Sequence, residues 1–157
     1  MTLRPNFSEA PMLTRRAALL LSLTALAACG SRQEAEVSHA GLHPGETPQI
    51  RALIRKWAAT YDIPESLLHR QIQRESGYNP AARNGPYYGL MQILPQTARQ
   101  MGYRGPDAGL LDADTNLHYA GRYLRGAWLL SHRNEKTAVM WYAKGYYYEA
   151  KRRGMLK

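Results

Sequence analysis

The chain has 157 residues, a formal net charge of +9 and 45% hydrophobic residues. These values fit one globular domain and exclude two large ones, and the single cysteine excludes a disulfide within the chain. The basic charge suits nucleic acid, anionic lipid or an acidic polymer, but no phosphate-binding loop, zinc-ligand spacing or Ser-His-Asp signature accompanies it. We therefore expect no nucleic-acid partner, no metal and no cofactor.

Residues 1–28 have the pattern of an export signal that is removed from the mature chain. Arg4, Arg15 and Arg16 precede an apolar Ala/Leu run that ends in small residues. The run is shorter than the about 20 residues that a permanent membrane-spanning helix needs. Arg15 and Arg16 also resemble a twin-arginine signal, so either export route stays open.

The stretch from Leu26 to Cys29 reads Leu-Ala-Ala-Cys and resembles the bacterial lipobox. The resemblance implies that Cys29 becomes the lipidated first residue of a lipoprotein. Acyl chains anchor a protein to a membrane by burying methylene groups. We therefore expect a lipid-anchored protein in the bacterial periplasm. The outer membrane is favoured over the inner one because Gly30, and not Asp, follows Cys29.

Residues 29–47 are polar, are interrupted by Gly and Pro, and have no helical or strand period. They predict a flexible linker between the lipid and the domain. His39 and His43 lie in this linker. We identify no third ligand near them, so we interpret both as solvated linker residues rather than metal ligands.

The folded domain is predicted to span residues 48–157, and its first two helices follow clear start signals. Thr47 can cap the first helix, Pro48 suits its first turn, and an apolar stripe at helical spacing follows. A second helix begins near Pro64 and ends near Gly77. The apolar stripe of the first helix consists of Ile50, Leu53, Ile54, Trp57 and Ala58.

The second helix carries a carboxylate on its apolar face. Leu68, Ile72 and Glu75 stand at i, i+4 and i+7, so the acid shares a face with residues that pack on the core. Burial disfavours the charged form of a carboxylate and lets it keep a proton near neutral pH, as a general acid must. The spacing equally allows Glu75 to turn outward or to pair with Arg70 or Arg74.

The rest of the domain predicts helices and almost no strands. Pro95 begins a short helix that ends before Gly102, and Asn134 caps a helix that ends near Gly145. Between them, the stretch "DADTNLHYAGRYLRGAWLL" predicts a long helix. The predicted fold class is therefore all-α, a compact helical domain with a cleft across it.

Four short motifs follow one another along this domain: "ESGYNP", "GLMQILPQTA", "AGRYL" and "WYAKG". A lone Glu-Ser pair would be weak evidence for any family. The ordered series of four motifs, however, resembles the lytic transglycosylases, enzymes of the goose-type lysozyme-like fold that cleave peptidoglycan. The resemblance covers about residues 48–153. It implies a lysozyme-like helical domain with a substrate cleft, and peptidoglycan glycan strands as the partner. The sequence does not identify any partner enzyme in the cell wall.

The resemblance also implies roles for the residues at matching positions. Glu75 matches the catalytic acid, and the tyrosine of the last motif, Tyr142, matches one that reaches toward the catalytic carboxyl. Without the resemblance, the aromatic residues at helical spacing would be interpreted as core. The implied substrate-binding residues are Ser76, Met91, Gln92, Tyr123 and Tyr142.

Two positions depart from the family pattern. Ala143 stands where the last motif usually has Asn, so any role of that amide is absent here. Pro86 and Tyr87 stand near a position that commonly reads Gly-Ala. Substrate preference can differ as a result, whereas the catalytic acid is not affected.

The motifs supply one carboxylate, whereas an ordinary glycosidase uses two. In the lytic transglycosylases the acid protonates the glycosidic oxygen between N-acetylmuramic acid and N-acetylglucosamine. The muramyl C6 hydroxyl then closes onto C1 and leaves a 1,6-anhydromuramyl end. We expect this activity at Glu75. Two alternatives stay open: a muramidase that hydrolyses the same bond, and a catalytically silent peptidoglycan-binding lipoprotein.

Overall fold

The structure, a computed structural model, describes residues 41–155. The predicted signal peptide at residues 1–28, the predicted lipid on Cys29, and His39 lie outside the described residues. Residues 41–155 belong to one compact unit. Within that unit, no helix has the length and apolar character that crossing a bilayer requires.

Helices dominate the described residues, which confirms the predicted all-α class. The helices are α1 (Pro48–Tyr61), α2 (Glu65–Glu75), α3 (Pro95–Gln100), α4 (Ala113–Leu130), α5 (Glu135–Lys144) and α6 (Tyr147–Arg152), with a 3₁₀ helix at Asp107–Leu111. A short hairpin pairs β1 (Arg83–Asn84) with β2 (Tyr87–Tyr88) in antiparallel register.

Side chains that cap the first backbone N–H groups fix the starts of three helices, two of them, at Thr47 and Asn134, as the sequence predicts. The Thr47 side chain accepts a hydrogen bond from the Ile50 amide at the start of α1. Asp112 caps α4 and Asn134 caps α5 in the same way. Pro64, which was expected inside the first turn of α2, is the residue that precedes it.

Helix α4 is the central element, and it packs against α1 on one side and α5 on the other. Its apolar face carries Leu117 and Leu124, both fully buried. Full burial of one such side chain contributes about 1.5–3 kcal/mol to folding. The stripe predicted on α1 faces this core, and four of its members are buried: Ile50, Ile54, Trp57 and Ala58.

A buried amide on α4 fixes the loop between β2 and α3. Asn116 Nδ2 donates hydrogen bonds to the carbonyls of Tyr88 and Leu110, each at 2.8 Å. Its Oδ1 accepts from the Met91 amide at 3.0 Å. Gly89 lies against the same amide with a φ of +73°, and a Cβ there would come within 2.3 Å of Asn116 Nδ2. Glycine is therefore required for the loop to approach α4 this closely.

Residues 41–47 pack against α1 and α2, which contradicts the flexible-linker prediction for this end of the segment. The buried Glu46 carboxylate accepts hydrogen bonds from Arg51 Nε and Nη2, each at 2.6 Å, and from the His43 amide at 2.9 Å. The His43 ring stacks on Tyr78 with centroids 5.7 Å apart. The segment lacks a period in sequence because a polar network, rather than an apolar stripe, holds it in place.

His69 on α2 completes this network, so the expectation that His43 has no third potential ligand nearby is wrong. The possible ligand atoms of His43, Glu46 and His69 lie within 4.8 Å of one another. Arg51 nevertheless holds both Glu46 oxygens, and His69 Nδ1 lies 2.9 Å from the Tyr78 hydroxyl. Hydrogen bonds therefore engage these groups, and the network fastens residues 41–47 to the domain.

The sequence patterns did not predict the hairpin, the 3₁₀ helix or α6. The two strands have two residues each, and the two helices have five and six residues. Elements this short contain too few positions for a hydrophobic period to show.

Two groups of the network make its stability depend on pH. Burial lowers the pKa of His69 below its usual 6.5, against the opposing effect of Glu46. Burial alone would raise the pKa of Glu46, but hydrogen bonds from the Arg51 side chain and the His43 amide lower it below 4.5. The unfolded chain therefore binds protons more readily at both groups, so folding stability falls as the pH drops.

We expect the free energy of unfolding to fall between about pH 7.5 and about pH 5.5, where an unperturbed histidine takes up its proton. Urea unfolding at a series of pH values measures this. His69→Gln should reduce the dependence in that range, to which His118 also contributes because burial lowers its pKa as well, and should leave the further loss below pH 4.5 that Glu46 causes. An unchanged slope in the variant would contradict the assignment to His69.

Candidate active site

A cleft of about 590 Å³ opens between the end of α2, the loop after β2, and helices α4 and α5. Four of the six predicted site residues line it: Glu75, Gln92, Tyr123 and Tyr142. The other two, Ser76 and Met91, are not among its lining residues. Ala143 and Tyr87, two of the three residues that depart from the family pattern, also line the cleft, whereas Pro86 does not.

Glu75 is the last residue of α2. Within the described residues, every hydrogen bond to its carboxylate is accepted by one oxygen, Oε1. Oε1 accepts from Gln71 Nε2 at 2.9 Å and from Arg74 Nε and Nη2 at 3.1 and 2.6 Å. No donor in residues 41–155 bonds to Oε2. The side chain is 21% exposed. Glu75 therefore lines the cleft and also forms an ion pair with Arg74. The helical spacing had left these two arrangements as alternatives.

Gln71 is a site residue that the sequence analysis did not identify. It lies one helical turn before Glu75 and is fully buried, and its Oε1 has no hydrogen-bond partner among the described residues. An unpaired buried polar atom costs about 1–3 kcal/mol, so its retention in a core needs an explanation. The explanation here is that Nε2 orients the carboxylate. The sequence signal that could have identified Gln71 is its position, four residues before Glu75 on the buried face of the helix.

Tyr142 is buried beside Glu75, but its hydroxyl donates to the Met91 carbonyl at 3.0 Å rather than to the carboxylate. Burial raises the pKa of Tyr142 well above 10, and the negative charge of Glu75 adds to this effect. Tyr142 therefore remains a neutral phenol next to the acid. The Met91 side chain is fully buried in the core, so its backbone, and not its thioether, supports the site.

Ser76 connects the end of α2 to the loop that follows β2. Its hydroxyl donates to the Leu90 carbonyl at 2.8 Å, and its amide donates to the Ile72 carbonyl at 3.0 Å. The expected place of Ser76 in the substrate cleft is therefore not seen. Its contacts instead fix the backbone that carries Glu75.

Gln92 and Tyr123 line the same cleft as Glu75. Gln92 Nε2 donates to the carbonyls of Gly89 at 2.8 Å and Ala82 at 3.1 Å. Its Oε1 has no partner in the described part of the chain, which leaves one acceptor beside the cleft. Tyr123 packs edge-on against Tyr142, with ring centroids 5.1 Å apart. Both side chains line the cleft, which therefore has an amide and an aromatic ring among its lining groups.

Glu75 is the only carboxylate among the residues that line the cleft. Three aspartates elsewhere in the domain are engaged in other contacts. Asp112 caps α4, Asp107 pairs with Arg99, and Asp114 accepts hydrogen bonds from Lys56 and Trp57. The cleft therefore combines one acid with two cations, Arg74 and Lys144.

The family model described as the transglycosylase SLT domain matches residues 52–153, well over half of the chain. The chain belongs to the transglycosylase SLT domain family. Membership confirms the lytic transglycosylase resemblance and the lysozyme-like helical fold. It gives this SLT domain a peptidoglycan-cleaving function of the transglycosylase or lysozyme-like kind, with peptidoglycan as the substrate.

We expect Gln71→Leu to lower kcat on purified peptidoglycan by about tenfold or more, since one hydrogen bond to a charged group contributes about 1.5–3 kcal/mol. KM should change little because Gln71 is buried away from the sugar. Folding stability should hold or rise, because the variant removes an unpaired buried oxygen. Gln96→Leu, at an exposed position of α3, is the matched control. A kcat equal to that of the control would refute the orienting role.

Proposed function

We propose that this SLT domain is a lytic transglycosylase. It cleaves the β-1,4 bond between N-acetylmuramic acid and N-acetylglucosamine and leaves a 1,6-anhydromuramyl end. The observation that carries the proposal is the single carboxylate, Glu75, among the residues lining the cleft. Ordinary glycosidases place two carboxylates about the scissile bond. One carboxylate suffices when the nucleophile belongs to the substrate.

In the first step, Glu75 gives its proton to the glycosidic oxygen. The bond between muramyl C1 and that oxygen breaks, and N-acetylglucosamine leaves with the new hydroxyl. Glu75 Oε2 is the donor atom, since the hydrogen bonds that hold the carboxyl fall on Oε1. Fixing one oxygen in this way keeps the other directed into the cleft.

In the second step, the Glu75 carboxylate takes the proton from the muramyl C6 hydroxyl while that oxygen bonds to C1. The acid regains its proton, and no water is consumed. The attack is intramolecular, so the nucleophile is present at a high effective concentration. Between the steps Glu75 is ionised, and the guanidinium of Arg74 at 2.6 Å balances its charge.

We also propose that the protein is a lipoprotein, anchored through Cys29 and held in the bacterial periplasm, with the outer membrane favoured. The export signal and the Leu-Ala-Ala-Cys stretch support this proposal. A peptidoglycan substrate supports it as well, because peptidoglycan lies in the cell envelope. An anchored chain would work on the face of the wall nearest its membrane.

Glu75→Gln tests the catalytic proposal. Turnover should fall by at least about 10²-fold, the low end of what a positioned acid or base contributes. Mass spectrometry of fragments released from sacculi should show anhydromuropeptides with the unaltered protein and none with the variant. Glu65→Gln, an exposed acid on the same helix, should behave like the unaltered protein.

Other products would point to the alternatives. Reducing muramyl ends would show that the protein is a hydrolysing muramidase. Binding to sacculi without released fragments, in both proteins, would identify a silent binding protein and reject the proposal.

Cys29→Ser tests the anchoring proposal. Expressed in a bacterial host, the unaltered chain should incorporate labelled fatty acid and sediment with membranes, since two or more acyl chains are needed for stable anchoring. The variant should incorporate none and remain in the supernatant. Equal sedimentation of the two proteins would contradict the lipid anchor.

A further inference from the structure

A second groove, of about 420 Å³, lies beside the cleft between α2 and α5. Its lining residues are Arg70, Gln73, Arg74, Lys136 and Val139. Arg74 lines both cavities and donates to Glu75, so the groove adjoins the catalytic acid. Neither the family match nor the motifs assign it a role.

The groove is lined by three cations and by no acid. Arg70 pairs with Glu135 at its margin, at 3.1 Å, and Arg74 pairs with Glu75 at 2.6 Å. Lys136 is exposed and makes no ion pair with any residue between 41 and 155. An amide from Gln73 and the buried apolar side chain of Val139 complete the surface. Such a surface suits a short aliphatic chain that bears carboxylates.

The proposed substrate carries such a chain close to the scissile bond. The muramyl sugar whose C1 reacts at Glu75 bears a lactyl ether on C3 of the same ring. A peptide stem with free carboxylates extends from that ether. Because the groove begins at Arg74, which contacts Glu75 directly, it lies within reach of the stem once the sugar is in the cleft.

We propose that this groove, formed by Arg70, Arg74 and Lys136, binds the peptide-stem carboxylates and makes the enzyme prefer strands that carry peptides. The proposal rests on the peptidoglycan-cleaving function proposed above. A carboxylate in the groove competes with Glu75 for the guanidinium of Arg74. Occupancy therefore acts on the chemical step as well as on binding.

The experiment compares two substrates with the full-length protein. One is a preparation of peptide-bearing glycan strands. The other consists of the same strands stripped by an amidase that cuts between the lactyl group and the first amino acid. We expect kcat/KM to be about tenfold higher on the peptide-bearing strands, the effect of a few solvent-exposed ion pairs. The preference should shrink as salt is added, because salt screens exposed charges.

Lys136 is the residue to change, since it is exposed and its loss leaves no acid unpaired in the described residues. Lys136→Gln should reduce the ratio of the two kcat/KM values, and Lys136→Glu should bring it to one or below. Lys151→Gln, an exposed lysine on α6 outside both cavities, is the matched control and should leave the ratio unchanged.

A ratio of one in the unaltered protein, or an unchanged ratio in Lys136→Glu, would overturn the proposal. Reducing ends in place of anhydro ends would reject the transglycosylase mechanism, while the ratio would still test the groove. If neither the peptide-bearing nor the stripped strands are cleaved, the affinities of the Glu75→Gln variant for these two substrates test the proposal. Equal affinities would overturn the proposal, and tighter binding of peptide-bearing strands that Lys136→Glu abolishes would support it.

Discussion

The buried side chain of Asn116 holds together the wall of the cleft. Its amide binds three backbone groups, the carbonyls of Tyr88 and Leu110 and the amide of Met91. The Met91 backbone, once held, presents the carbonyl that accepts from Tyr142. The Gly89 carbonyl, held beside it, accepts from Gln92. One amide on the central helix α4 therefore sets the positions of two cleft residues whose side chains it does not touch.

The second constraint is the uneven distribution of hydrogen bonds on Glu75. Gln71 and Arg74 both donate to Oε1, which restricts the rotation of the carboxyl group. A carboxyl that rotated freely would present either oxygen to the substrate and lose orientation in the proton-transfer step. The same arrangement places the Arg74 guanidinium where it borders both the cleft and the groove between α2 and α5. Arg74 lines both cavities, so the proton transfer and the substituent binding proposed above would share this one residue.

Sequence patterns predicted the parts of the fold that depend on neighbours along the chain. A cap such as Thr47 acts on an amide three residues away, and an apolar stripe repeats with the period of the helix itself. The same reasoning failed for residues 41–47, because their contacts with Arg51 and Tyr78 are polar and lie outside the segment. For Met91 the family resemblance implied a substrate-binding side chain, whereas the structure encloses that side chain in the core.

The sequence by itself determined the helical class, the capped starts of α1 and α5, and the family, and it singled out Glu75, the one acid among the residues that line the cleft. These properties are local, since they follow from residue types at fixed spacings within one helix or motif. Only the tertiary structure decided which side chains meet across distance, such as Tyr142 with the Met91 carbonyl and Ser76 with the Leu90 carbonyl. It alone brought Lys136 of α5 beside α2 to form a cationic groove. Such contacts join residues far apart in the chain, and the packing of helices, rather than any sequence period, sets their geometry.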